Sequence, residues 1–260
     1  MIAFVLAAGF GTRFRPETLT TPKPLLPLAG RPILFRLFDH LLAQGAESFV
    51  LNAHHLAEAL RSAVGDDYDG VPVRWSLEEP ILGTAGAIRR ATERGLLPDA
   101  SFLVANGDLF TTLPLGRLLH ARQEDGVVSA LAVIPNRRPD VDTPLWADAR
   151  GRLLAVGGPR PTEWVSGPWL FTGLQSARRE LVERIPPGVS ELARDVLVPS
   201  ARARDGAIAL VPYRVPEDGA WFDLGSPERL ADAESALTSA GPTSASPGAS
   251  PAPGSGRSPA

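Results

Sequence analysis

Hydrophobic residues follow two alternating kinds of pattern along the first half of the chain. Short apolar runs, the first at residues 2–6, are typical of buried strands. Between them lie longer stretches with apolar residues at helical spacing, the first over residues 31–44, where Pro32 suits the start of a helix and Gly45 its end. Strands that alternate with helices predict a mostly parallel sheet with helices on both faces.

The same patterns place the remaining elements. Beyond residue 134 the sequence is richer in prolines and predicts turns and short strands, with a hairpin formed by 145–148 and 152–156. We therefore expect two halves, over about 1–134 and about 135–238. Further strands are predicted at 47–52, 71–77, 101–105, 127–134, 169–174 and 207–211, and helices at 55–64, 84–93, 114–123, 178–185, 190–197 and 226–237.

The last stretch of the chain differs from both halves. From Ser239 to residue 260 it contains only Ser, Ala, Gly, Pro, Thr and one arginine. Such a composition cannot bury enough apolar surface to offset the entropy lost on ordering. We therefore predict a disordered tail over residues 239–260.

The first predicted strand runs directly into a loop with two glycines and three basic residues. Gly9 and Gly11 allow the backbone to turn sharply and to approach a ligand, with N–H groups free for phosphate oxygens. Arg13 and Lys23 add positive charge there. Phe14 occupies the place of the third glycine of a dinucleotide fingerprint, and no GxxxxGK[ST] motif occurs. A glycine turn with solvated arginines is the plainer alternative, but the whole string favours a polyphosphate-binding loop.

Composition narrows the possible partners. A net charge of −3 and a pI near 5.9 argue against nucleic acid or an anionic membrane. Of the 26 basic residues only Lys23 is a lysine, which suggests that a compact ammonium is needed there. The absence of cysteine excludes disulfides and thiolate chemistry. The N-terminal segment lacks the features of a signal peptide or a membrane span, so we expect a cytoplasmic protein.

Two more segments carry candidate binding residues. The segment E-E-P-I-L-G-T-A-G at 78–86 reads plainly as a loop and a helix start, but its small residues also form a flat wall for a base. Asp108 follows the strand predicted at 101–105. Asn106-Gly107 would ordinarily mark a hairpin, but a helical pattern follows. An aspartate at the carboxyl end of a central strand is well placed to hold Mg²⁺ near the glycine loop.

The string L-A-A-G-F-G-T-R, continued by T-P-K-P-L-L-P-L-A-G-R-P, resembles the signature of the sugar-1-phosphate nucleotidylyltransferases, also called nucleotide-sugar pyrophosphorylases. The resemblance extends from Ile2 to about Ala236. It implies a Rossmann-like, mostly parallel mixed sheet flanked by helices, without the C-terminal β-helix of longer members. Residues 1–238 would be the catalytic domain, with a nucleotide half (about 1–134) and a sugar-phosphate half (about 135–238).

The resemblance also implies the nucleotide-binding residues. In the family the glycine loop wraps the nucleoside triphosphate, an arginine meets its outer phosphates, and a lysine lies near the α-phosphate. A segment similar to L-G-T-A-G lies at the nucleobase, and Glu78 is a further candidate beside it. By position, the nucleotide-binding residues are Ala8, Gly9, Gly11, Thr12, Arg13, Lys23, Thr84 and Gly86.

The family binds its metal with two aspartates, which correspond to Asp108 and Asp223. Asp223 lies in W-F-D-L-G-S-P. Without the resemblance it would be a loop residue before the helix that Ser226 and the following proline predict. The resemblance therefore implies a Mg²⁺ cofactor and assigns catalytic roles to Arg13, Lys23, Asp108 and Asp223.

The sugar-phosphate half matches less completely. Thr172 and Gly173 resemble the strand step that touches the sugar in the family. Many members carry a Glu-Lys-Pro motif before that strand, whereas this chain has G-G-P-R-P at 157–161. Arg160 is a candidate substitute for the lysine, and Glu163 is a candidate for the sugar hydroxyls.

The expected reaction converts an NTP and a sugar 1-phosphate to an NDP-sugar and pyrophosphate. The L-G-T-A-G segment favours a mannose-1-phosphate guanylyltransferase, whereas the short length favours an N-acetylmuramate-1-phosphate uridylyltransferase. Heptose-phosphate and phosphocholine-type enzymes stay open, as does a homo-oligomeric state. A rival of another class is a non-catalytic nucleotide-sugar sensor, which only the missing Glu-Lys-Pro motif favours.

Overall fold

The structure, a computed structural model, describes residues 1–98, 100–162 and 165–239. The strands are β1 (Ile2–Leu6), β2 (Pro27–Leu28), β3 (Arg31–Pro32), β4 (Ser48–Ala53), β5 (Asp67–Tyr68), β6 (Val71–Leu77), β7 (Ser101–Asn106), β8 (Leu109–Thr111), β9 (Ser129–Pro135), β10 (Leu145–Ala147), β11 (Leu153–Val156), β12 (Ser166–Arg178), β13 (Ile208–Pro212) and β14 (Trp221–Asp223). The α-helices are α1 (Ile33–Ala43), α2 (Ala57–Val64), α3 (Gly83–Glu93), α4 (Gly116–Ala121), α5 (Val198–Ala203) and α6 (Pro227–Ser239).

A mixed sheet runs through the described residues. Its main order is β11-β10-β12-β7-β1-β4-β6-β5, and β9 pairs with both β12 and β13. The four strands β7, β1, β4 and β6 are mutually parallel, so their carboxyl ends meet at one edge. The long strand β12 runs antiparallel to β7 and β9 and joins the two halves of the chain. The predicted fold, a mostly parallel mixed sheet flanked by helices, is confirmed.

Apolar side chains fill both faces of the sheet. On one face Leu37 and Phe38 of α1 and Leu60 of α2 pack on the strands. On the other face the strands are covered by α3, through side chains such as Ile88, and by the segment after β12. The central strands are covered on both faces, which explains why they read as continuous apolar runs and not as alternating ones.

The predicted element boundaries are mostly confirmed to within two residues, but the region after β12 differs. Residues Arg179–Arg184 form a 3₁₀-helix instead of an α-helix, and Leu192–Leu197 form a π-type turn that leads into α5. The sequence pattern also missed β8 and β14, which are three residues long and pair only with each other. Elements this short carry too few residues for a period to be recognised.

Two further points concern the predicted tail and the expectation that the chain has no membrane span. Apart from Ser239, the predicted tail lies outside the described residues. No helix in the described parts of the chain combines the length and the apolar character that crossing a membrane requires.

Candidate active site

A cleft of about 280 Å³ lies at the edge where the parallel strands end. The loops after β1, β4, β6 and β7 all reach this edge because these strands share one direction. The cleft is lined by Leu6, Ala7, Ala8, Gly9, Lys23, Pro24, Asn52, Glu78, Ile81, Gly83, Thr84, Asn106, Asp108 and Glu191. The structure therefore brings Ala8, Gly9, Lys23, Thr84 and Asp108 together from four separate segments of the predicted site.

The glycine loop closes tightly on itself. Gly11 has a φ of +60°, and a Cβ on it would lie 2.9 Å from Thr18 Cγ2 and 3.1 Å from Lys23 Cβ. The Thr18 hydroxyl donates a hydrogen bond to the carbonyl of Gly11 at 2.8 Å. A side chain at position 11 would therefore be strained and would displace Lys23. Gly11 shapes the loop, while Gly9 lines the cleft.

Lys23 is held between an aromatic ring and a carboxylate. Its Nζ lies 2.5 Å from Oδ2 of Asp108 and 5.2 Å from the centre of the Phe14 ring. The Lys23 side chain is only 11% exposed, whereas that of Asp108 is 36% exposed. The pair places a buried positive charge and an accessible negative charge side by side on the cleft wall.

The second predicted metal aspartate lies on the strand next to Asp108. The antiparallel pair β8–β14 aligns Asp223 with Leu109, and the Leu224 N–H donates to the carbonyl of Asp108 at 3.1 Å. Asp223 and Asp108 are thus neighbours although 115 positions separate them in the chain. The ribbon of β8 and β14, which the sequence did not reveal, creates this proximity.

Two arginines surround Asp223. Arg229, in the first turn of α6, contacts the Asp223 carboxylate through Nη1, and its Nη2 lies 3.4 Å from Oδ1 of Asp142, in the loop after β9. Asp223 Oδ1 lies 2.9 Å and Arg13 Nη1 lies 3.2 Å from the position that a Cβ on Gly225 would occupy. Gly225 therefore leaves room for both groups. Nothing in the sequence indicated a role for Arg229 except its position, two residues after the proline of W-F-D-L-G-S-P.

The donor set at this place suits a divalent cation that also binds phosphate. Asp108 and Asp223 are each more than one-third exposed, and both already hold a cationic group. Among the described residues no cluster of three His, Cys, Asp or Glu side chains could hold a metal. Mg²⁺ is usually bound by one or two carboxylates, with substrate phosphates and water as the other ligands. Asp108 and Asp223, on adjacent backbone segments, fit that pattern.

A buried network of hydrogen bonds connects the segments that form the wall of the cleft. Asn52 Oδ1 accepts a hydrogen bond from the Ala7 N–H at 2.6 Å, and Asn52 Nδ2 donates to Oε1 of Glu78 at 2.7 Å. Oε2 of Glu78 in turn accepts from the N–H of Leu82 at 2.9 Å. Asn52 and Glu78 are about 5% exposed. The network therefore fixes the glycine loop relative to the segment at 78–82, and Asn52 was not predicted from the sequence.

We expect Asn52→Ala to loosen this network. The substitution leaves the Ala7 N–H and the Glu78 carboxylate without their partner, which should lower the free energy of unfolding by roughly 1–3 kcal/mol. Because the glycine loop loses its support, KM for the nucleoside triphosphate that the sequence predicts should rise more than kcat falls. Chemical denaturation and steady-state kinetics measure the two effects.

Asn136→Ala is the matched control. Asn136 is also buried, donates to the carbonyl of Asp142 and accepts from the N–H of Arg138, but it lies outside the cleft. It should lose stability without a change in KM for the nucleotide. If Asn52→Ala left that KM at its wild-type value, the supporting role of Asn52 would be wrong.

The start of α3 is tied to the second half of the chain, the half predicted to bind the sugar phosphate. The hydroxyl of Thr84 donates to Oε2 of Glu191 at 3.0 Å and accepts from the Leu192 N–H at 2.9 Å. Gly86 lies deeper in the helix, where a Cβ would be 2.6 Å from the carbonyl of Gly188. Of the two predicted base-binding residues, the structure thus brings Thr84 to the cleft, while Gly86 packs against the loop at Gly188. Glu191 lines the cleft without having been predicted.

The residues predicted for the sugar phosphate lie in different surroundings. Thr172 is buried, and its hydroxyl donates to the carbonyl of Ala132 at 2.9 Å. Gly173 has a φ of +85° and faces the side chain of Asn106. Arg160 is exposed, and Glu163 lies outside the described residues. Within this set, Gly173 is the residue that adjoins the cleft.

Comparison with known proteins gives a consistent set of similarities. The sequence model of the Nucleotidyl transferase family matches residues 2–141. The chain is 28% identical over 238 residues to a UTP–glucose-1-phosphate uridylyltransferase of Synechocystis sp., covering 86% of this chain and 60% of that protein. It is 30% identical over 227 residues to a mannose-1-phosphate guanylyltransferase of Mycobacterium tuberculosis, covering 87% and 61%. The chain thus spans about 60% of the length of these curated relatives.

Solved structures share the fold. HddC from Yersinia pseudotuberculosis, crystallised with GMP-PN, superposes with a TM-score of 0.73 at 21% identity, covering 91% of this chain and 99% of that one. A putative glucose-1-phosphate thymidylyltransferase from Bacillus anthracis, in complex with a sucrose, gives 0.73 at 17% identity, covering 91% and 95%. At such identities the similarity concerns the fold alone.

Proposed function

The chain belongs to the nucleotidyl transferase family, and on that premise we propose that it transfers a nucleotidyl group from an NTP to a sugar 1-phosphate. An oxygen of the sugar phosphate attacks the α-phosphorus in line. The bond from that phosphorus to the bridging oxygen breaks, and pyrophosphate leaves. Neither substrate needs a protein nucleophile, because positioning and charge neutralisation carry most phosphoryl-transfer catalysis.

The arrangement of Lys23, Asp108 and Asp223 carries this proposal. Lys23 and Asp108 are in contact on the wall of the cleft, and Asp223 lies on the strand paired with the one after Asp108. One compact place therefore offers an ammonium for a phosphate and two carboxylates for a cation. A loop that served only structure would not need this charge arrangement beside an open cleft.

Each residue of the predicted site has a proposed role. The backbone at Ala8, Gly9 and Thr12 holds the triphosphate, Arg13 neutralises the departing pyrophosphate, and Lys23 neutralises the transferred group. Dependence on a divalent metal is general in the family, and Asp108 and Asp223 would hold Mg²⁺. When bound, such an ion neutralises phosphate charge and orients the reacting groups.

The two halves would divide the substrates between them. Residues 1–134 would bind the nucleotide and residues 135–238 the sugar phosphate, within one catalytic domain. GTP with mannose 1-phosphate is the substrate pair that the L-G-T-A-G segment favours. Several of the relatives are named as mannose-1-phosphate guanylyltransferases. UTP with N-acetylmuramate 1-phosphate is the alternative.

Pyrophosphate release tests the proposal directly. The purified chain is assayed with each of the four NTPs against a panel of sugar 1-phosphates, with and without Mg²⁺. We expect release with at least one pair, and only when both substrates are present. If the chain binds a nucleotide-sugar but no pair releases pyrophosphate, the non-catalytic sensor is the correct interpretation.

A further inference from the structure

Arg229 is bound to one of the two carboxylates that the proposed cation needs. Its Nη1 donates to Oδ2 of Asp223, and its Nη2 lies 3.4 Å from Oδ1 of Asp142. The side chains of Arg229 and Asp223 are each about one-third exposed, so the pair is partly shielded from water. A guanidinium and a divalent cation compete for the same carboxylate, because both are cations that bind through its oxygens.

The other carboxylate of the site is paired in the same way. Lys23 Nζ contacts Oδ2 of Asp108 at 2.5 Å, and the Lys23 side chain is largely buried. The negative charges of Asp108 and Asp223 are therefore each balanced by a positive side chain. A divalent cation that entered without a phosphate would meet these two positive charges at close range, and like charges repel. The nucleotide-free chain should therefore bind a divalent cation weakly.

A second carboxylate for Arg229 lies within reach. Asp142, in the loop after β9, faces Arg229 with Oδ1 and accepts from Nη2 of Arg138 with Oδ2 at 3.0 Å. The side-chain amide of Asn136 donates to the Asp142 carbonyl at 2.9 Å, which holds this loop in place. Arg229 can therefore exchange Asp223 for Asp142 through a small movement of its guanidinium. The exchange leaves no partly buried charge without a partner.

The stability of α6 does not explain an arginine at this position. Residue 229 lies in the first turn of that helix, where the helix dipole favours acidic side chains such as Glu228 and disfavours basic ones. Both carboxylates that the Arg229 side chain contacts, Asp223 and Asp142, lie outside the helix. The arrangement of Arg229 is thus related to the cation site and not to its own helix.

We propose that Arg229 keeps Asp223 unavailable to a free divalent cation until the nucleotide binds. The triphosphate supplies the negative charge that offsets the cation, and Arg229 then turns to Asp142. The cation consequently enters together with the nucleotide and not before it. Arg229 acts through Asp223 and is a positioning residue. The inference rests on the proposed function and specifies how its cation site is controlled.

Binding of Mn²⁺ to the nucleotide-free chain tests the inference, with the unbound ion measured by electron paramagnetic resonance. Arg229→Gln removes the competing guanidinium and places a good helix former in α6. It should bind Mn²⁺ at least about 5-fold more tightly than the wild type, because Asp223 loses a charge-assisted hydrogen bond. Unchanged or weaker binding of Mn²⁺ by Arg229→Gln would overturn the inference.

Arg138→Gln is the matched control. It makes the same change in net charge, and it removes the other guanidinium that contacts Asp142 while Asp223 keeps its partner. Its affinity for Mn²⁺ should stay within about 2-fold of the wild type, as expected for an exposed ion pair. A gain as large as that of Arg229→Gln would show that net charge alone sets the affinity, which would contradict the proposed role.

A double substitution shows whether the gain depends on Asp223. In a chain that carries Asp223→Asn, the further change Arg229→Gln should not raise the affinity for Mn²⁺, because the carboxylate that it would free is gone. An equal gain in both backgrounds would overturn the inference. Thermal unfolding of each variant verifies that it is folded before Mn²⁺ is added.

The two proposals fail in different ways. The Mn²⁺ measurement needs no substrate, whereas the proposed function depends on the release of pyrophosphate by the wild-type chain. Release of pyrophosphate without a gain in Mn²⁺ affinity for Arg229→Gln would remove the inference alone. If no pair of substrates released pyrophosphate, the proposed function would fail, and the inference, which rests on it, would fail as well.

Discussion

Asp108→Asn should lower kcat by roughly 10³-fold, because it removes the negative charge that faces both Lys23 and the proposed cation. The asparagine keeps the size of the side chain and one of its oxygens. Stability should fall by only about 1 kcal/mol, since the amide oxygen of the asparagine can still accept a hydrogen bond from the largely buried Lys23. Pyrophosphate release measures the first effect and thermal unfolding the second.

The design separates charge from position. Asp232→Asn makes the same change in net charge on the exposed face of α6 and should retain wild-type activity. Isothermal titration with Mn²⁺ and a non-hydrolysable NTP should show weaker cation binding for Asp108→Asn alone. Near-normal turnover of Asp108→Asn would show that this carboxylate does not hold the catalytic cation.

Lys23→Gln should lower kcat by roughly 10²-fold, because the ammonium that would neutralise the transferred phosphoryl group is lost. Lys23→Arg should not restore activity. The lysine is 11% exposed and its Cβ lies close to Gly11, so the broad guanidinium cannot take the place of the compact ammonium. Steady-state kinetics of both variants test this prediction, and recovery of wild-type rates with arginine would contradict it.

A chemical experiment tests the same residue without mutation. Lys23 supplies the only side-chain amine of the chain, so an amine-specific reagent can modify Lys23 and the Met1 amino group alone. An NTP with Mg²⁺ should slow the labelling of Lys23 several-fold and leave that of Met1 unchanged, because Met1 does not line the cleft. Peptide mass spectrometry measures both rates in one sample. Equal rates with and without the NTP would place the triphosphate elsewhere.

Much of the fold could be predicted because its strands and helices are long enough to show a period. The run at Ile2–Leu6 and the spacing in α1 appear in the sequence as they do in the structure. The predictions failed where tertiary contacts decide the local conformation, as in the π-type turn at Leu192–Leu197, whose apolar spacing is also that of an α-helix. Periodicity reports which face is buried and does not report the hydrogen-bond pattern.

Residues that act through a partner escaped sequence reasoning. Asn52 and Glu191 belong to no local motif, and each is placed at the cleft by a contact with a distant segment. Gly86, in contrast, belongs to a motif but packs against the loop at Gly188 instead of lining the cleft. A motif gives the order of residues, whereas the direction of each side chain depends on how the segments pack.

The sequence by itself predicted a phosphate-binding loop, because two glycines, two arginines and the single lysine lie within fifteen consecutive positions. It also determined the parallel strands whose ends carry that loop and Asp108. Only the tertiary structure decided that Asp223 lies beside Asp108, since a short ribbon of two strands, invisible to periodicity, brings these distant positions together. Only the tertiary structure decided the full lining of the cleft, because Asn52 and Glu191 reach its wall from segments that share no motif with the glycine loop.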